Sequence, residues 1–191
     1  MSRLVLSVVV PLLLLAGSLR AVTLEKLSLE EMIDASTLVV RGTVSAAKAA
    51  RSGSVIQTEY RVAVDEVLKA DAASGQDPAA SGELTVSLPG GEAGGVRQTL
   101  AGVPSLRSGE QYVFFLWRAR SGRLLLVGMS QGLLKISGTG GRATASRPPV
   151  DGTLLDARTG MAVRDSGLGM RMAALRETIS RRVRQSQGAR R

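Results

Sequence analysis

Apolar and polar positions change period several times along the chain, and each change marks a segment. Leu4 to Ala16 is a run of 13 residues, apolar except for Ser7 and Pro11. Ser28-Leu29-Glu30-Glu31 has the form of a capping box, and Leu29, Met32 and Ile33 share one helical face. A short helix from about Leu29 to Ser36 is expected. Leu38-Val39-Val40 opens a strand to about Ala46, and Gly42 inside it marks a bulge or bend. From Ile56 to Val67 the period is two: Ile56, Thr58, Tyr60, Val62 and Val64 share a buried face, and Gln57, Glu59, Arg61 and Asp65 the other. Leu84, Val86 and Leu88 alternate with Glu83, Thr85 and Ser87 in a further strand, which Pro89-Gly90-Gly91 ends. Val96–Ala101 is a weaker strand. Tyr112–Trp117 is apolar on both faces, which predicts a central strand covered on each side. Leu124–Val127 and Leu133–Ile136 complete the β pattern.

Two stretches lack period and read as connections. Asp71–Gly82 is a surface loop. Residues 138–167, rich in Gly, Thr, Ser and Arg with a Pro148-Pro149 pair, read as a linker. Beyond it, Leu168, Met172, Leu175, Ile179 and Val183 fall on one face of a C-terminal helix. The mature body is therefore mainly β, with six or seven short antiparallel strands in a small barrel or sandwich and a helix at each end. The organisation expected is 1–21 signal peptide, 22–137 β domain, 138–167 linker, and 168–191 basic amphipathic helix and tail.

The apolar run at the start is shorter than the roughly 20 residues that span a membrane. It follows Met1-Ser2-Arg3 and precedes Ala16-Gly17-Ser18 and Leu19-Arg20-Ala21, the order of a secretory signal. Cleavage is expected after Ala21, with Ser18 as second choice; the alternative is an uncleaved anchor. The protein is expected in the periplasm or outside the cell. The chain contains no Cys, so it is not a lipoprotein.

Composition removes much chemistry. The chain of 191 residues has no Cys and no His. The usual zinc, haem and iron–sulfur ligands are missing, as are the histidine of a Ser-His-Asp triad and both members of a Cys-His pair. No cofactor or metal is expected. Net charge is +9, but it is concentrated at the end: Arg176 to Arg191 carries six arginines and one glutamate.

Two glycine motifs need a structural context the pattern does not supply. Gly128-Met129-Ser130-Gln131-Gly132 matches the Gly-x-Ser-x-Gly of hydrolases, which lies between a strand and a helix. Here it joins two apolar strand-like runs, so a glycine-rich turn is expected; a dyad of Ser130 with Lys135 stays open on composition. Gly138-Thr139-Gly140-Gly141-Arg142-Ala143 resembles a dinucleotide loop, but Arg147-Pro148-Pro149 follows where a helix is required. Tyr112, Phe114, Phe115 and Trp117 share one strand and read as core, not as a stacking platform for bases, so nucleic acid is not expected as a partner.

Several stretches together resemble one family. They are Asp34 to Val44; Tyr60 to Lys69, ending Val-Leu-Lys; Pro89-Gly90-Gly91; Gly109-Glu110-Gln111-Tyr112-Val113-Phe114-Phe115-Leu116; and Val127-Gly128-Met129-Ser130-Gln131-Gly132. This pattern, over roughly Leu27 to Ile136, resembles a group of uncharacterised exported bacterial proteins. They in turn resemble the OB-fold barrel of netrins and tissue inhibitors of metalloproteinases. Ala70 departs from the glycine usual in the group. The inhibitors chelate zinc through an N-terminal cysteine, which this chain lacks, so the resemblance implies a fold and no mechanism. The function expected is an exported, non-enzymatic OB-like β-barrel module that binds another macromolecule, with an unknown protein as partner. One alternative is binding of an anionic polymer or membrane surface through Arg181, Arg182, Arg184, Arg190 and Arg191. Another is a metal-independent hydrolase using Ser130.

Overall fold

The computed structural model describes residues 24–71, 82–150 and 152–188. The expected signal and its cleavage points, most of the Asp71–Gly82 loop, and Arg190 and Arg191 lie outside the described residues. In chain order the elements are β1 (Leu24–Glu25), α1 (Leu29–Ala35), β2 (Leu38–Ser52), β3 (Val55–Ala70), β4 (Glu83–Pro89), β5 (Gly91–Ala93), β6 (Val96–Gln98) and β7 (Gln111–Arg118). There follow β8 (Leu124–Leu126), β9 (Leu133–Ser137), β10 (Thr144–Arg147), β11 (Leu154–Leu155), β12 (Ala162–Val163), β13 (Leu168–Arg171) and α2 (Met172–Gly188).

The fold is mainly β, with one helix near the start of the described chain and one at its end. The main sheet has the order β13-β10-β9-β7-β2-β3-β4-β8, and β8 also pairs with β7. Five strands, β7, β2, β3, β4 and β8, thus form a closed circuit of pairings, and β9, β10 and β13 extend it as a wing. One edge of β7 runs along β2; the other is shared, with β9 opposite Tyr112–Phe114 and β8 opposite Leu116–Arg118. The sheet is not purely antiparallel as expected: β4 meets β8 in parallel at Val86 and Leu124. The chain reaches β8 only after crossing the end of the circuit and returning along β7, so β8 runs in the direction of β4.

Two apolar cores lie on opposite faces of the same strands. Inside the circuit are Leu38, Val40, Val62, Val86, Phe114 and Leu116, closed at one end by Leu106. Outside it, Val39, Val113, Phe115 and Leu134 pack against Met32 and Ile33 of α1 and Met172, Leu175 and Ile179 of α2. The run from Tyr112 to Leu116 is covered on both faces as its pattern predicts, but Trp117 is 40% exposed. It sits in the penultimate position of β7, on the face that carries Val113 and Phe115.

Local chemistry explains the geometry. The Ser28 hydroxyl accepts from the Glu31 N–H and the Ser28 N–H donates to the Glu31 carboxylate, completing a capping box at the start of α1. The other end of α1 is held by Lys69, a buried residue whose ammonium donates to the carbonyls of Ile33 (2.8 Å) and Ser36 (2.5 Å). In β2 the register against β3 shifts between Arg41 and Gly42. A Cβ at Gly42 would lie 2.6 Å from the Ala63 oxygen, so the bend requires glycine there.

The linker expected over 138–167 is corrected. Thr144–Arg147 pairs with β9 on one side and with β13 on the other, and Ala143, Ala145 and Leu154 are buried. Arg147 and Asp165 form a buried ion pair, with side chains 6% and 2% exposed. The segment is held by strand pairing on both sides of β10 and by this ion pair, and it shows no apolar period because its strands are short and place only the small Ala143 and Ala145 in the outer core. The helix expected from Leu168 likewise begins at Met172; Leu168–Arg171 is β13.

Candidate functional site

Loop Gly102–Arg107 crosses one end of the circuit. It forms one wall of an open groove of about 400 Å³ whose other walls are the start of β7, β9 and the chain from Ser146 to Val150. Ser130 and Lys135, proposed from sequence as a possible dyad, both line it, together with Arg107, Glu110, Tyr112 and Arg147.

Glu110 organises this groove. Lys135 donates to one carboxylate oxygen at 2.6 Å and the Tyr112 hydroxyl to the other at 2.5 Å. These two bonds hold the Glu110 carboxyl below its ordinary range. Burial, with the bond to Glu110, pushes the Tyr112 phenol up to about 12. Behind them Arg147 pairs with Asp165, which also accepts from the backbone N–H groups of Val150 and Gly167. Burial raises the Asp165 carboxyl, but the Arg147 bond and the two N–H donors outweigh it and leave it lowered.

Ser130 stands in a 3-10 turn, Met129–Gly132, entered through two left-handed residues, Gly128 and Met129. Its N–H donates to the Gly102 carbonyl, which fastens the turn to the loop. Among the described residues its hydroxyl has no hydrogen-bond partner, and the Lys135 ammonium is directed to Glu110. The geometry brings the pair into one groove without a base on the serine. The turn joins β8 to β9 as the pattern predicts. Gln131 in the same turn is fully buried; its amide accepts from Leu27 N–H and donates to the Glu25 carbonyl, fixing the chain ahead of α1.

The C-terminal arginines divide. Arg182 makes two bonds to Asp34 of α1, and Arg176 two to Glu66 of β3, so ion pairs flank the buried stripe of α2 on both sides. The arginine bonds hold Asp34 and Glu66 low. Arg181 and Arg184 are exposed on the outward face, near Glu177. Arg190 and Arg191 lie outside the described residues.

Sequence reasoning found Ser130 and Lys135 but missed Lys69 and Gln131 as structural groups; both fall in the quoted stretches, as the Lys of Val-Leu-Lys and the Gln of Gly-Met-Ser-Gln-Gly. Among the described residues no three His, Cys, Asp or Glu side chains gather as a metal site, and no helix is long and apolar enough to cross a membrane. Compared with known proteins, the chain matches no family model and no curated relative.

Proposed function

We propose that this is an exported, non-enzymatic module whose five-strand circuit is an OB-type barrel and whose loop end binds another macromolecule in the envelope or outside the cell. The observation that carries the reading is the loop end itself. Loop Gly102–Arg107 leaves an open groove whose central charged groups, Lys135, Glu110 and the Arg147–Asp165 pair, are engaged with one another. Such a surface offers shape and hydrogen bonding to a partner, and its serine lacks an adjacent base. The pairing order of the circuit, with one parallel contact between its third and fifth strands in chain order, supports the OB assignment. The short apolar run Leu4–Ala16 supports export. A second reading, contact with an anionic surface, has the exposed Arg181 and Arg184 in its favour.

Placing the photo-crosslinker p-benzoylphenylalanine at Arg107, and separately at Arg184, in the full chain in its own cells distinguishes the two. The expected result is one reproducible protein adduct from the Arg107 position. Adducts from the Arg184 position alone, or lipid adducts there, move the binding face to α2. No adduct from either position sinks both readings.

A further inference from the structure

The Pro89-Gly90-Gly91 stretch builds a roof. Gly90 and Gly91 have φ of +96° and +124°, and a Cβ on Gly91 would lie 2.2 Å from the Thr58 hydroxyl oxygen. Only glycine lets the chain turn this close to β3. Gly90 donates to the Ile56 carbonyl (2.7 Å) and accepts from the Thr58 hydroxyl (2.7 Å). The Ile56 N–H donates in turn to the Gln98 side chain at 2.7 Å. The residue before β5 and the last residue of β6 are therefore both tied to β3.

Beneath the hairpin is a second cavity of about 370 Å³, near the lower end of the size range of small-molecule sites. Leu88, Leu100, Val103 and Pro104 supply apolar walls. The charged lining residues, Glu92 and Arg97, pair with each other at 2.8 Å and are exposed at the rim. Tyr60 also lines the cavity. It is a core residue, only 9% exposed, yet its hydroxyl has no hydrogen-bond partner among the described residues. The hydroxyl is also not sealed from solvent, since the sealed, unpaired side-chain atoms are on Arg41, Arg118 and Arg147. Buried tyrosine hydroxyls are normally paired, as Tyr112 is with Glu110.

We propose that this cavity is a binding site for a neutral, ring-sized organic group carrying one hydroxyl, the class of simple phenols, with that hydroxyl bonded to Tyr60 and the ring against Leu88, Leu100 and Val103. Neutrality follows from the self-paired rim charges, and the polar anchor from Tyr60, the buried lining residue whose hydroxyl is unpaired among the described residues; the hydroxyls of Thr99 and Ser105 belong to exposed residues, and that of Thr58 donates to Gly90. The cavity and the groove of the proposed macromolecular contact share Val103, Pro104 and Ser105 as lining, but the proposal does not rest on that contact.

The test titrates p-cresol, and separately toluene, into the isotope-labelled full chain and follows amide shifts. Saturable shifts confined to residues around Gln98–Ser105 are expected, with p-cresol bound about fivefold tighter than toluene, the preference one hydrogen bond supplies. Tyr60→Phe should bring the two affinities together while leaving toluene binding unchanged. Thr99→Trp, at an exposed rim position, should weaken both at least about tenfold by filling the space. If Tyr60→Phe fails to fold, the wild-type preference and the Thr99→Trp loss decide. Absence of saturable shifts, equal affinities in the wild type, a preference that survives Tyr60→Phe, or binding unaffected by Thr99→Trp overturns the proposal.

Discussion

Asp165 and Arg147 bring opposite charges into the wing of the sheet with almost no solvent contact. The carboxyl is held lowered in the fold, so its contribution to stability is present above its unfolded value near 3.8 and is lost as pH falls through the folded value. Asp165→Asn should destabilise at neutral pH by about 3–5 kcal/mol, because Arg147 keeps its charge without its anion. It should also flatten the acid limb of the stability curve below about pH 4. Urea unfolding at several pH values measures both; an unchanged acid limb would show that other carboxylates dominate it. Neither partner was legible as such. Asp165 follows one basic residue and Arg147 precedes two prolines, and residues 18 apart in a glycine-rich stretch carry no periodicity linking them. Lys69 was hidden for a different reason. A lysine near the end of an alternating strand reads as solvated, and its partners are the main-chain carbonyls of Ile33 and Ser36 at the C-terminal end of α1, with Asp71 at 3.6 Å.

Helix α2 was the element best marked by spacing. Met172, Leu175 and Ile179 from the sequence stripe are 2%, 0% and 1% exposed, and Val183 packs beside them. The stripe faces the sheet, which settles what covers it. Leu175→Ala should cost about 2–5 kcal/mol by leaving a cavity between α2 and β3, β10 and α1. Arg184→Ala, on the outward face, should stay within about 0.5 kcal/mol. Chemical denaturation of the two variants checks the pair, and a small effect of Leu175→Ala would mean that α2 is only loosely docked. The strand before the helix was lost in the sequence because its pattern is weak. Leu168–Arg171 has burial that alternates between partial and exposed, and its partner β10 places only Ala145 fully inside. Small residues make a strand without giving an apolar signal.

Closure of the five-strand circuit depends on a parallel bridge at one residue pair, Val86 and Leu124, from segments far apart in sequence. The apolar pattern, alternating in β3 and β4 and continuous in β7, predicted each strand but contained nothing about that contact. The outer layer was equally invisible as a layer, though its strands were not: β7 read as apolar on both faces because it, like β2, serves two cores. Val40, Phe114 and Leu116 face inward and Val39, Val113 and Phe115 outward, all 0% exposed. Removing α1 and α2 from the outer face would expose strands whose backbone bonds also hold the circuit. The two cores should therefore unfold in one step, although they lie on opposite sides of a sheet. The β5–β6 hairpin, a sheet of two strands tied to the rest near its base, and the small β1-β11-β12 sheet should open earlier. Hydrogen exchange read by mass spectrometry under native conditions tests this order. Peptides from β2, β7 and α2 should lose protection together and last, after those covering Gly91–Gln98 and Leu154–Val163. If α2 exchanges well before β7 while β2 and β3 remain protected, the helical layer is an independent unit, and the shared strands do not couple the cores.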